Sequence, residues 1–299
     1  MADLTTAAGE LRSEKRSNSQ FAETWRRLKK NKTAMAALVV IFLLLLLAAS
    51  ADLIVSYDLA INQNADLKLA KPSAEHLFGC DALGRDLFAR IIHGTRISLL
   101  FGFGATIVTT VPSTLLGTSC AYYGGRYDNI LMRFFDIIIS IPSILLALAI
   151  SAGFGNGITQ LIVAMSIGRI ASFTRVVRSA SLNVVDQDYI EASRSIGQSS
   201  LTIIVKHVMP NVLGTILVQA TMSVAQNILM GAILSFLGLG APIPIPEWGK
   251  IMSEGLPYLR YTAHLVVYPT IFIAVTVLSI NLFGDGLRDA LDPRLKGKA

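Results

Sequence analysis

The chain of 299 residues is 53% hydrophobic and only 15% charged, with a net charge of +6. Soluble domains carry about 25% charged residues, so this composition excludes an ordinary soluble enzyme and points to an integral membrane protein. Two cysteines (Cys80, Cys120) and four histidines (His76, His93, His207, His264) show no metal-like or redox-like spacing. No Gly-x-x-x-x-Gly-Lys-[Ser/Thr] loop is present to hold a nucleotide. No catalytic residue, resident metal or cofactor is therefore expected.

In chain order, residues 1–33 are polar and basic, and the first nineteen read as disordered. From Phe21 an amphipathic helix is expected, with Phe21, Trp25 and Leu28 on one face and Arg26, Arg27, Lys29 and Lys30 around them. Such a helix lies on an anionic membrane surface. The first span covers 34–55, since about 20 apolar residues at 1.5 Å each cross a ~30 Å hydrocarbon core. A polar segment, 56–96, separates it from the second span at 97–122. The third span is placed at 130–152, with Asp136 near its start and Pro142 inside. The turn Gly153-Phe-Gly-Asn-Gly157 leads to the fourth span, 158–177, which Arg169 interrupts. The fifth and sixth spans are 212–237 and 263–283, joined by a proline-rich loop, and a polar tail (285–299) ends the chain.

Charge orients these six spans. On the N-terminal side lie eight Lys and Arg in 1–33, two at Arg126 and Arg133, five from Arg169 to Lys206, and four in the tail. The opposite side holds five in 56–96 and two at Lys250 and Arg260. The bias puts both termini in the cytoplasm. Charges at membrane depth cost roughly 2.5–3.5 kcal/mol on insertion scales. Asp136 stands one turn from Arg133, which suggests a local pair; a polar pathway lining with Ser140 is the alternative. Arg169 is free to snorkel, to pair or to face a pathway.

The longest polar stretch between apolar runs of the second half is Asp188 to Asn211, which reads as helix, break, helix. Asp188 is placed as an N-cap with Glu191 completing a capping-box-like spacing. Gly197 stops the first helix in a left-handed conformation. Ser199 and Ser200 start a second short helix, which Pro210 closes. The stretch resembles the EAA loop of ABC importer permeases. Glu191, Ala192, Gly197 and Pro210 fall on that pattern, while Ser193, His207 and Met209 depart from it. The resemblance implies a coupling segment, 188–210, seated in a cleft of an ATP-binding subunit.

Two further stretches resemble the permease subunits of dipeptide, oligopeptide and nickel ABC importers, of DppC/OppC type. In the segment from His76 to Leu99, which opens His76-Leu-Phe-Gly-Cys-Asp-Ala-Leu-Gly-Arg-Asp86, the residues Gly79, Asp81, Gly84, Arg85 and Asp86 match, and Phe78 and Cys80 replace Leu and Thr. Gly84 permits a tight turn, and Arg85 between Asp81 and Asp86 knits a compact outer loop. Pro246-Glu-Trp-Gly249 and the run from Gly284 to Leu295 are similar to the same class.

The resemblance implies an all-α, type I (MetI-like) permease fold with a core over 97–284. It implies a subunit of the bacterial cytoplasmic membrane that moves small peptides, with nickel complexes or glutathione as alternatives. Its expected partners are a second homologous permease, two ATP-binding subunits or domains, and an extracytoplasmic substrate-binding protein. An ion-coupled secondary transporter would show paired intramembrane carboxylates and inverted repeats; the spans hold one carboxylate, Asp136, and no repeat. A membrane scaffold has no need of a segment with Gly197 and Pro210 at importer spacing.

Overall fold

A bilayer offers no partner to an open backbone, so apolar runs of span length fold as helices. The structure, a computed structural model, describes residues 22–155 and 157–291, and no extended strand forms among them. The first nineteen residues, Phe21, Asn156 of the expected turn and residues 292–295 of the tail motif lie outside the described residues.

Helix α1 (22–30) buries Leu28 against Ala34 and Ala290. Trp25 stays exposed, with the Lys29 ammonium 5.4 Å above its ring. Helix α2 (Lys32–Ala49) is the first span, capped by Asn31, whose side chain accepts from the Ala34 amide at 3.1 Å. At its far end the Arg96 guanidinium donates to the carbonyls of Ala48 (2.6 Å) and Ala49 (3.2 Å). Those carbonyls would otherwise lack partners.

Helix α3 (Leu87–Tyr123) has 37 residues and is about 55 Å long at 1.5 Å per residue. It starts at Leu87 rather than at 97 because Asp86 caps it, accepting from the Ala89 amide at 2.7 Å. Its length exceeds the ~30 Å of a hydrocarbon core. The expected third span is not one helix. Helices α4 (Gly125–Ser140) and α5 (Ser143–Phe154) meet at 88°. Pro142 pushes Ile141 into extended backbone, φ −91° and ψ 126°. Along α4, Ile130, Phe134 and Ile137 are exposed on one face, while Asp128 pairs with Arg178 on the other. One face of α4 is thus open and apolar, and the other is fixed by this ion pair.

Helix α6 (Ile158–Val185) carries the fourth span eight residues past the expected end, from 177 to 185. Helices α7 (Asp188–Ser195) and α8 (Ser200–Ile203) follow, then a π turn at Ile204–Val208 and α9 (Met209–Phe236). Helix α10 (Trp248–Gly255) lies in the proline-rich loop and α11 (His264–Leu291) is the last span. Five helices are individually long and apolar enough to cross a membrane; counting the bent pair as one broken crossing gives the six expected. Helix α3 is central, packed on α6 and α9, with α9 on α11 and α11 on α2.

Candidate functional site

The 188–210 segment is helix, break, helix as expected, with two corrections. Gln187, not Asp188, is the N-cap of α7, and its side chain makes no capping bond. Asp188 and Glu191 instead occupy the first turn, where carboxylates oppose the positive end of the helix dipole. The C-terminus is a Schellman closure: Gln198 N donates to Ser193 O at 3.2 Å and Gly197 N to Arg194 O at 3.0 Å. Gly197 sits at φ +79°, where only glycine is unstrained.

Ser199 caps α8, accepting from the Thr202 amide at 3.3 Å. Pro210 does not close this helix; Ser200–Phe236 runs on as one 37-residue rod. Pro210 lacks an N–H and its ring crowds the carbonyl four residues back, and the π turn just before it widens the helix there. His207 turns inward to Gln198, Nε2 to Oε1 at 3.0 Å.

What fixes this segment is buried beneath it. Ile190 is fully buried against Ile203, Val208 and Val184. The Arg194 guanidinium lies 4.5 Å from the Tyr122 ring centre at the end of α3. What it presents is a shallow cleft lined by Asp186, Gln187, Glu191, Arg194 and Ser195. Beside the cleft, Ala192 is exposed, as are Tyr189, Ile196 (74%) and Leu201 (69%). These are apolar side chains that the polar segment leaves open. The sequence reading missed Ile196 and Leu201; their signal is an apolar residue on either side of the break.

The outer motif folds differently from expectation. Asp81 Oδ2 accepts from Arg85 Nε and from Arg90 Nη1, both at 2.6 Å. Glu254 of α10 accepts from the same two arginines at 2.6 and 2.8 Å. Asp86 takes no part: one oxygen caps α3 and the other meets His76 Nδ1 at 2.7 Å. Its helix-capping role holds it away from Arg85. Gly84 (φ +75°) turns the loop so closely that a Cβ there would lie 1.7 Å from Asn64 O. Gly79 is likewise left-handed, at φ +77°. From the proline-rich loop, Trp248 is fully buried and donates to Ile91 O at 3.1 Å. Glu247 caps α10 through the Gly249 and Lys250 amides. Burial pushes the Glu247 carboxyl upward, against these amides and the hydroxyls of Ser235 and Ser98.

Within the spans, Asp136 pairs with Arg175 of α6 and not with Arg133. Alpha-helical spacing puts Arg133 within reach, but α6 lies across the Asp136 face of α4. Ser140 bonds back to Ile137 O and makes no contact with Asp136. Arg169 reaches α9, donating to Gln226 Oε1. Around that contact, Arg169, Ser172, Val176, Ser179 and Asn183 recur at helical spacing on one side of α6. Thr215, Gln219, Met222 and Gln226 do the same on α9. Both stripes are exposed or half-exposed, and a depression between them is lined by Arg175, Val176, Ser179, Asn183 and Thr215.

The two cysteines are free, buried and near opposite ends of the α3 region. Burial, with Asp86 and Asp81 nearby, pushes the Cys80 thiol up to about 11. Two pH units above the usual range leave about a hundredfold less thiolate near neutral pH. An impermeant maleimide on spheroplasts should leave both cysteines unmodified, and both should react after denaturation. Rapid labelling of Cys80 in the folded protein would show that the outer loop does not close over it.

The comparisons with known proteins agree with this arrangement. Residues 113–297 match the family "Binding-protein-dependent transport system inner membrane component", and residues 19–72 match "N-terminal TM domain of oligopeptide transport permease C". The chain is 42% identical over 275 residues to the "Glutathione transport system permease protein GsiD" of Escherichia coli O6:K15:H31, covering 92% of this chain and 91% of that one. GsiD of Shigella boydii serotype 4 matches to the same extent. Among solved structures, the MetNI methionine ABC transporter in inward-facing conformations aligns with a TM-score of 0.56 at 22% identity, over 68% of this chain and 96% of that chain. A second crystal form aligns equally well, at 23% identity over 69% and 98%.

Proposed function

Because the chain belongs to the family of binding-protein-dependent transport system inner membrane components, we propose that it forms half of a translocation pathway for small peptides, glutathione first among them. It is a multi-pass inner-membrane subunit of an ATP-driven importer, non-catalytic in itself, that works with ATP-binding subunits and a substrate-binding protein. The other half of the pathway is a second, homologous permease. The working core spans 97–284, and the 188–210 segment docks on an ATP-binding subunit. ATP-driven closure of those subunits moves this segment and swings the spans between inward-open and outward-open states.

The observation that carries the pathway reading is the pair of uncovered polar stripes on α6 and α9. Charged and amide groups at membrane depth face protein or water and not lipid. A homologous chain laid over them encloses a wet lane. Arg169 stands in that lane with a planar fork suited to carboxylates, and glutathione presents two carboxylates. The relative named as a glutathione permease supports the same cargo. Nickel complexes fit less well, since the stripes carry no imidazole or thiol.

In vesicles holding the whole importer, Arg169→Gln should slow glutathione uptake at least about tenfold, the effect of losing one hydrogen bond to a charged group. Complex recovery and basal ATP hydrolysis should match the parent. Unchanged uptake would remove Arg169 from the pathway, and parental importer that carries nickel but no peptide would overturn the cargo.

A further inference from the structure

The sequence scatters its histidines and cysteines, yet the fold brings three ligand-type side chains together on the outer loop. His76, Cys80 and Asp86 each offer a ligand atom, and these atoms all lie within 4.8 Å of one another. We propose that they form a binding site for a zinc-class divalent cation, which pins the 73–86 loop to the N-terminus of α3. This site is separate from the pathway and from the 188–210 segment.

The site is built from the backbone upward. Ser73 N donates to His76 O, His76 N donates to Ser73 Oγ at 3.1 Å, and Gly79 N donates to His76 O at 2.8 Å, so the loop is already folded around the histidine. An antiparallel bridge sets Cys80 opposite Asp86. Asp86 divides its work: Oδ1 caps α3, while Oδ2 faces the His76 ring and is free of any backbone donor. The Cys80 side chain is fully buried, whereas His76 keeps 17% of its side chain open to solvent.

Imidazole, thiolate and carboxylate together suit zinc and not calcium or magnesium, which take oxygen alone. Tetrahedral bonds of 2.0–2.3 Å put ligand atoms about 3.3–3.8 Å apart. The present His76–Asp86 contact of 2.7 Å must widen, and the thiol, within 4.8 Å of the others, must close in by at most about 1.5 Å. Side-chain rotation supplies both movements. The three residues leave a fourth position on the solvent side of His76 for water. Binding replaces the Cys80 S–H proton by the cation and releases it to solvent, while the His76 ring proton shared with Asp86 passes to Nε2 so that Nδ1 offers its lone pair, with no change of oxidation state. A second carboxylate, Asp81, is adjacent and adds to the negative potential, although Arg85 and Arg90 hold it. Cys80 stands where the resembling pattern carries Thr, so Cys80→Thr is a substitution this loop should accommodate.

The test uses the full chain purified in detergent through a histidine-free tag, stripped with EDTA, with Cys120→Ser so that Cys80 is the single thiol. Zinc chloride is titrated by calorimetry, and cobalt(II) is added separately to read the spectrum. The expected result is one ion per chain, a near-ultraviolet thiolate-to-cobalt band, and a higher melting temperature with zinc. Cys80→Thr should abolish the band and weaken zinc binding at least about tenfold, and His76→Gln should weaken it similarly. Absence of the thiolate band in the parent overturns the site, as does equal zinc affinity in a Cys80→Thr protein that melts like the parent in EDTA. If Cys80→Thr does not fold, the cobalt spectrum of the parent decides alone.

Discussion

Gly197→Val is expected to abolish transport by the assembled importer while leaving the spans inserted. At φ +79° a β-branched residue costs about 1–3 kcal/mol. The turn escapes that strain by giving up the bonds from Gln198 N to Ser193 O and from Gly197 N to Arg194 O. Helix α8 then leaves α7 at a different angle, and Ile196 and Leu201 no longer share one surface. No side chain lies within 4 Å of where a Cβ would stand, so the defect is one of backbone conformation and not of crowding. Gly197→Asn separates the two: asparagine tolerates the left-handed region, and it should retain most of the activity. Glu191→Lys attacks the same surface by charge. It removes a carboxylate from the first turn of α7 and sets a cation beside Arg194 in the cleft. Uptake and substrate-stimulated ATP hydrolysis in vesicles are the measurements, with complex recovery as control. If both Gly197→Val and Glu191→Lys assemble and transport like the parent, 188–210 is not the docking segment.

The second large effect is on stability. Asp81→Ala should cost about 3–5 kcal/mol, the range for breaking a buried pair on one side. Its carboxylate is 5% exposed and holds two guanidiniums that are 2% and 1% exposed. Removing it leaves Arg85 and Arg90 with only Glu254, and frees the Leu83 and Arg85 amides that Asp81 Oδ1 accepts. Glu254→Ala should cost clearly less, since that carboxylate is 26% exposed and water replaces part of its role. Thermal melts of the two purified variants give the order directly. Equal melting temperatures would mean that the network does not hold the outer loop.

How far these features were legible depends on how local their causes are. Spans follow from uninterrupted apolar runs, and the stop at Gly197 from one residue with one conformational talent. Pro142 and Pro210 show the limit. Both carry the same local signal, yet one bends the chain by 88° and the other sits in a continuous rod. The difference is the π turn at Ile204–Val208, which is packed through Ile203 and Val208 against α6 and α7. No window of sequence contains that packing. The Arg85–Glu254 contact bridges 169 positions, so the sequence offered Asp86 as the nearer acid. Arg90 lies within the resembling segment but outside its matched positions, so nothing local announces its pairing with Asp81 and Glu254, and the polar stripes emerge only once α6 and α9 lie side by side.

The fusion of α8 to α9 has a mechanical consequence. A peg joined to its span by a loose tether would absorb a push; a rod of about 55 Å transmits it. Its far end, at Phe236, is latched to α10 by the Ser253 hydroxyl at 2.8 Å, and α10 in turn grips Arg85 and Arg90 through Glu254. Force applied at Ser200 therefore has a continuous helical route to the outer rim.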